Sequence, residues 1–377
     1  MYIRNILTII ALLLFLPALS SGTALAAEDK VTLGVDVGLL FDSNVYLENE
    51  DEDSDTIVEI RPWIQVRLPF TDDGTLTADY ILTGKSYLQE DDNNSVEHDL
   101  MVELDLRGAT YYLVANEEFG YSAYPIASDL VQKGDNWRNT ISAGVGAKYH
   151  KLGWEAGFRF IMQSYNDIPE YDYDDLAVYA EGNYLVGSKT DVFIRGHFGW
   201  ITYDKDYHPD ADYYDIKVGL RGKPTERLSY EIGVGYHDKN YEDDGTLADI
   251  EDYSGLSAKG EVVYKATERS NIGAVLSYYP QEGTLSNYVE RLYMGVKADT
   301  DLTQKISASA ELGLENGQNS LDSDLDYTKY SLEIKAKYAI RRNVLLSLET
   351  DYVSRSSDTP TREYDRITAG MYLTLRY

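Results

Sequence analysis

From about residue 30 to its end the chain alternates apolar and polar residues with a period of two. Trp154, Ala156, Phe158, Phe160 and Met162 interleave with Glu155, Gly157, Arg159 and Gln163. Leu228, Tyr230, Ile232, Val234 and Tyr236 interleave with Ser229, Glu231, Gly233, Gly235 and His237. Leu332, Ile334, Ala336 and Tyr338 interleave with Glu333, Lys335 and Lys337. Successive side chains on a strand point to opposite faces, so each such segment is a two-faced strand. No segment carries a stripe of helical period. The segments predict about 18 strands. The first is expected over 31–41, the fifteenth over 303–316, the seventeenth over 342–354 and the last over 363–377.

The connections between them fall into two alternating kinds. Short ones include Gly108-Ala109, Lys151, Ser188-Lys189 and Arg341-Arg342. Long ones include 42–55, 89–94, 125–135, 166–173, 204–212, 241–252, 317–326 and 356–362. Sequence neighbours are then hairpin partners in an antiparallel up-and-down meander. Such a sheet has two edges to hide, and closure into a barrel removes both. A closed sheet of about 18 strands encloses more volume than side chains can fill. Its apolar face must therefore look outward, into lipid. A long β-solenoid would show a fixed repeat, and none is present. A pair of β-sandwiches would not alternate short and long connections so regularly. The predicted fold is all-β: an antiparallel transmembrane barrel of the bacterial outer-membrane type.

The first residues fit that destination. Arg4 precedes an apolar run from Ile6 to Leu16, Pro17 breaks it, and Ala24-Leu25-Ala26 follows. This is the layout of a secretory signal peptide, expected over 1–26, with the barrel over 27–377.

Composition now becomes intelligible. The 377 residues contain no Cys, 34 Tyr against 8 Phe, and a formal charge of -30. The missing Cys excludes disulfide scaffolds, thiolate metal sites and Cys nucleophiles. The charge argues against nucleic acid as a partner. The tyrosines are expected as girdles at the two water–lipid boundaries. Acidic residues crowd the long loops: Glu48, Glu50, Asp51, Glu52, Asp53 and Asp55 in the first, Asp167, Glu170, Asp172, Asp174 and Asp175 in another, and Glu242, Asp243, Asp244, Asp249, Glu251 and Asp252 in a third. The short turns are mostly basic, with Lys151, Lys189, Lys223, Lys265, Lys305, Arg341 and Arg342.

The alternation also selects inward positions. Expected to line the pore are Glu59, Arg61, Arg67, Lys85, Glu103, Arg159, Arg195, Lys217, Glu231, Lys259, Glu261, Arg291, Lys335, Glu349 and Arg366. Both signs are present, which stiffens a wall by attraction across strands and suits a hydrated channel. On the last strand Met371, Leu373, Leu375 and the terminal Tyr377 form an apolar edge. It resembles the C-terminal signal by which outer-membrane barrels engage their assembly machinery.

Enzymatic chemistry has no foothold. There is no G-x-S-x-G elbow. The five histidines (His98, His150, His197, His208 and His237) make no pair at metal-ligand spacing in the sequence. Gly144-x-Gly146 and Gly233-x-Gly235 fall at alternate strand positions and are expected as small inward residues. Asp322-x-Asp324-x-Asp326 lacks the Gly of a calcium loop. No cofactor and no metal is expected.

Two stretches are similar to a known family. Phe41-Asp42-Ser43-Asn44-Val45-Tyr46 resembles the opening of a family of outer-membrane β-barrel porins, with Ser43 where that opening has a second acid. The end is similar too, from Tyr338 to Asn343, Leu346 to Tyr352 and Tyr364-Asp365-Arg366 to Tyr377. Members resemble the EpsL-type barrels of exopolysaccharide biosynthesis. The resemblance implies an outer-membrane conduit for exported polysaccharide, with a periplasmic export component as partner. That conduit is the expected function, with a general diffusion porin for small solutes or ions, or a structural or adhesive surface barrel, as the alternatives. Other expected partners are outer-membrane lipid and glycolipid, with divalent cations bridging the acidic loops to that glycolipid. Titrated Ca²⁺ is then expected to raise the melting temperature of the purified barrel or protect its loops from protease. A response in neither would remove the bridge.

Overall fold

A computed structural model describes residues 31–50, 52–71, 73–123, 134–242, 245–246 and 251–377. The expected signal peptide and the loop acids Asp51, Asp243, Asp244 and Asp249 lie outside them. The strands are β1 (Val31–Asp42), β2 (Asp55–Thr71), β3 (Gly74–Tyr87), β4 (Ser95–Arg107), β5 (Tyr111–Ser122), β6 (Asn136–Tyr149), β7 (Leu152–Tyr165), β8 (Tyr173–Leu185), β9 (Thr190–Tyr203), β10 (Ala211–Gly222), β11 (Leu228–Tyr241), β12 (Tyr253–Thr267), β13 (Ser270–Glu282), β14 (Tyr288–Asp301), β15 (Ile306–Asn319), β16 (Tyr327–Arg341), β17 (Val344–Ser357) and β18 (Tyr364–Arg376). Each pairs antiparallel with its neighbours in sequence, and β1 pairs with β18, so the 18-stranded sheet is closed. Strand ends differ from expectation most at β15, which begins at Ile306 rather than 303. There the Thr303 hydroxyl accepts from the backbone N–H of Lys305 (3.1 Å) and Ile306 (3.0 Å), holding those residues in the turn. Tight turns also explain His150, whose φ of 53° lies in the left-handed region that a two-residue hairpin demands.

The pairing fixes which face each residue takes. Val37, Leu39, Ile60, Trp154, Phe158, Ile194, Ile216, Val234, Val296 and Leu348 stand outward and exposed. Such a belt is stable in hydrocarbon and not in water. Tyrosines do not all join it. Tyr111 and Tyr149 meet edge-on at the short-turn rim, and Tyr214 and Tyr236 lie near the other. Many others turn inward, into the wall of the lumen. Their hydroxyls donate to carboxylates of the wall: Tyr112 (2.7 Å) and Tyr179 (2.8 Å) to Glu155, Tyr213 to Asp175 (2.9 Å), Tyr327 to Glu315 (2.8 Å) and Tyr372 to Glu59 (2.8 Å). Several of these rings lie flat on an inward glycine of the next strand. A methyl group at Gly38 would stand 2.1 Å from the Tyr372 ring, and one at Gly199 would stand 2.4 Å from that of Tyr213. Gly157 fills the same role under Tyr179, whose hydroxyl reaches on to Gly144, and Gly146 under Tyr112.

The two stretches that carry the family resemblance come together where the barrel closes. Arg366 grips Asp42 with two bonds, 2.9 and 2.6 Å. Ser43 N–H donates to Ile367 O (3.0 Å), and Ile367 N–H donates to the Ser43 hydroxyl (2.8 Å). The Asn44 amide donates to Asp365 O (2.9 Å) and to Glu48 O (2.7 Å). Val45 packs under this loop against Ile57 and Tyr87. At the opposite rim Tyr377 N–H donates to Leu33 O (2.7 Å), and Leu33 N–H donates to Tyr377 O (3.0 Å).

Asp42 is wholly buried and Arg366 is 18% exposed. Arg366→Met strands a buried carboxylate and should cost about 3–5 kcal/mol, whereas Arg366→Met with Asp42→Asn should recover most of it. Equilibrium urea unfolding of the lipid-refolded barrel measures both.

Candidate functional site: the lumen and its covered end

The register places all fifteen residues selected from the alternation on the inward face. Glu59 pairs in register with Lys85, Arg195 with Lys217, Glu231 with Glu261, and Lys335 with Glu349. Several gather into clusters. At the seam, Arg61 holds Glu59 (2.8 Å), lies 3.8 Å from Glu349 and covers the Tyr372 ring. Lys85 and Arg366 line the same hollow of about 380 Å³. On β8 to β11, Arg195 bridges Glu181 (2.5 Å) and Glu231 (3.4 Å), and Arg221 shares Glu181 (2.6 Å). Arg291 binds Glu315 (2.5 Å), and Lys335 binds Glu333 (2.6 Å). Arg67, Glu103, Lys259 and Glu261 stand apart, and among the described residues no ion pair joins them.

The principal site lies toward the long-loop end, on the β6 to β13 side. A cavity of about 360 Å³ is lined by Arg138, Arg159, Asp175, His197, Tyr203, Tyr213, Asp215, Lys217, His237 and Lys239 of the wall, and by Gln281 to Thr284. Of these, only Arg159 and Lys217 were selected from the sequence. Arg159 binds Asp175 at 2.8 Å. Asp215, nearly buried, is the hub: it accepts from Lys217 (2.5 Å) and Ser257 (2.6 Å), with His237 and His197 at 3.5 and 3.8 Å. The two histidines are far apart in the chain. They meet because His197, Asp215 and His237 share one hydrogen-bonded row across β9, β10 and β11. The His237 ring stacks on Tyr213.

The cavity is covered by the connection 283–287 between β13 and β14. Arg138 on β6 and Thr284 in this connection line one cavity, so the loop leans across the lumen rather than rising from the rim. Its anchors are specific. Glu282 takes the ammonium of Lys239 and the hydroxyl of Tyr203 (3.0 Å). Thr284 O meets His208 Nε2 at 3.0 Å. Tyr241 donates to Asn287 O (2.8 Å), and Ser286 bonds Asn319 (3.1 Å). Ser286 and Asn287 are wholly buried. Loops from neighbouring hairpins close over it: His208 stacks on Tyr203, Tyr171 packs on Tyr207 and His208, and Thr246 N–H donates to Asp206 O (2.8 Å). The signal for this was present but silent in the sequence. Residues 283–287 carry no charge, whereas the other connections on that rim do.

Residues 31–377 match the model of the family described as "Putative beta-barrel porin 2". No curated protein sequence matches the chain. Among solved structures, Acinetobacter baumannii OccAB3 is similar at 9% identity and a TM-score of 0.48, over 92% of this chain and 98% of that one. Pseudomonas aeruginosa OccK2 (OpdF) in complex with glucuronate gives 12% and 0.49, over 92% and 98%. Pseudomonas aeruginosa OpdK with vanillate gives 11% and 0.46, over 93% and 99%.

Glu282→Ala removes two charge-assisted bonds, each worth about 1.5–3 kcal/mol, and should release the connection. Single-channel conductance in planar bilayers is then expected to rise, with more frequent transitions between levels.

Proposed function

The chain belongs to the beta-barrel porin 2 family, and on that premise we propose that it is a diffusion channel for small hydrophilic solutes across the outer membrane. The covered lumen carries this reading. The connection 283–287 and the loops packed over it take up one side of the long-loop end. What crosses must pass beside or through that cover, which favours small molecules over a polymer strand. The inward charges are the working wall, and the fifteen residues selected from the alternation have a place in it. A solute entering sheds part of its hydration, and the wall offers replacements of both kinds. Arg138, Arg159, Lys217 and Lys239 donate, Asp175, Asp215 and Glu282 accept, and Tyr203, Tyr213 and Tyr279 supply rings. Because the signs are balanced, neither anions nor cations meet a single-signed ring, the device by which many channels select.

A second reading is the polysaccharide conduit that the end motifs imply. The tyrosine rings of the cavity favour it, since sugar rings lie well on aromatic faces. It requires the cover to move aside.

Liposomes carrying the barrel should swell in mono- and disaccharides and not in long oligosaccharides. A deletion strain that stopped exporting polymer, together with liposomes closed to small sugars, would reverse the order of the two readings. Arg138→Ala with Arg159→Ala removes two donors from the covered cavity. It should shift the reversal potential in a salt gradient toward cation preference, by about threefold in permeability ratio.

A further inference from the structure

The outer face holds one residue that lipid cannot satisfy. Glu117 pairs in register with Val102 on β4 and Ile141 on β6, both of which face outward. Its hydrogen-bonded row descends through Ala78 to Val31 at the short-turn rim, and climbs through Phe160 to Asp212 at the long-loop rim. Glu117 lies midway along it, and its companions below Asp212 are apolar. Elsewhere among the described residues, the acidic, basic and histidine side chains that the register turns outward lie at strand ends: His98, Asp174, Asp212, Asp238, Glu290 and Asp365 within four residues of the long-loop rim, with Glu282 there turning back to Lys239, and Arg341, paired with Val344 after a bulge, at the short-turn rim. Glu117 alone occupies the middle of its strand. An ionisable group at that depth marks a functional contact, because hydrocarbon offers it no hydrogen bond. Its one near partner is weak: Asn139 donates to Glu117 Oε1 at 3.4 Å.

We propose that the outer face of β4 to β6 is the contact between two copies of this chain, related by a two-fold axis along the membrane normal and centred on Glu117. Two copies inserted the same way up present equal depths to one another. Whatever answers Glu117 must therefore be a polar group at its depth on the neighbour. Among the described residues the outward groups near this depth that could donate to a carboxylate are the Asn139 beside it, the Thr350 hydroxyl of β17 and the Tyr80 hydroxyl, which His98 engages; Asn139 alone already turns one N–H to Glu117 and stands on the same face as the acid. The complementary surface is thus the same surface, which makes the contact isologous. The Asn139 amide has a second N–H to give to Glu117 of the other copy. Ala115 and Ala143, paired in register beside the acid, leave the two walls room to approach.

The chain has no cysteine, so a single introduced thiol reports cleanly. Ala115→Cys should form a disulfide-linked dimer when the full-length barrel is oxidised in its membrane. Ala274→Cys, outward on β13 at the far wall, should stay monomeric. Adding Glu117→Leu and Asn139→Leu to Ala115→Cys should abolish the cross-link. The heat-dependent gel shift of a folded barrel checks that these variants still fold. The proposal is overturned if folded Ala115→Cys barrels remain monomeric, if Ala274→Cys cross-links as well, or if the Leu substitutions leave the dimer intact.

Discussion

A strand at the edge of a sheet has nowhere to put its N–H and C=O groups once it stands in hydrocarbon. That constraint organises this molecule. Every strand finds its partners locally, in the next hairpin, except the first and last, which must find each other across the whole chain. The seam between β1 and β18 is therefore the one place where closure is decided, and it is where side-chain bonds are concentrated. Asp42, Ser43 and Asn44 on one side answer Arg366, Ile367 and Asp365 on the other. The bonds alternate between side chains and backbone, so they fix the register as well as the pairing. A slip by one residue would turn Asp42 into lipid and Phe41 into the lumen.

With closure given, the interior follows from inverted logic. There is no dry core. Arginines, carboxylates and tyrosines fill the wall and satisfy one another, and glycines on the neighbouring strand let the rings lie flat. Arg61, Glu59, Tyr372 and Gly38 form such a unit on three consecutive strands around the seam, β18, β1 and β2. An inward Phe could pack as well as Tyr, but it could not cap a carboxylate. This accounts for the excess of Tyr over Phe as much as any interfacial preference does.

The period of two made the faces of the strands legible, because side-chain direction along a strand depends only on parity. Arg195, Lys217 and Glu231 could be placed inward without any structure for that reason. Parity says nothing about stagger between strands. The meeting of His197, Asp215 and His237 depends on how far β9, β10 and β11 are shifted along one another, and no local pattern encodes that shift. Tyrosine defeats the pattern altogether, since it suits a lipid boundary and a wet wall equally well. Loop direction was hidden for another reason. Connections 42–55 and 241–252 advertise exposure by their acids, whereas 283–287 turns inward by virtue of having none, and an absence is easily passed over. Glu117 sits in the same blind spot: one polar residue on an apolar face looks like noise until its depth is known.

The seam has a consequence for the order in which the chain can be assembled. Asp42 and Arg366 are 324 residues apart. Local hairpins close cheaply, but this contact, like the Leu33–Tyr377 pair on the same seam, closes a loop that takes in nearly all the strands and gains nothing until almost every one of them is in place. The ion pair is then a late event and a test of completeness. A chain that ended early would offer Asp42 no cation and Leu33 no terminal strand, and its first hairpin would carry a carboxylate without its counter-charge. Placing the lock at the two extremes of the sequence makes an unfinished product unstable before it can become a permanent hole in the membrane.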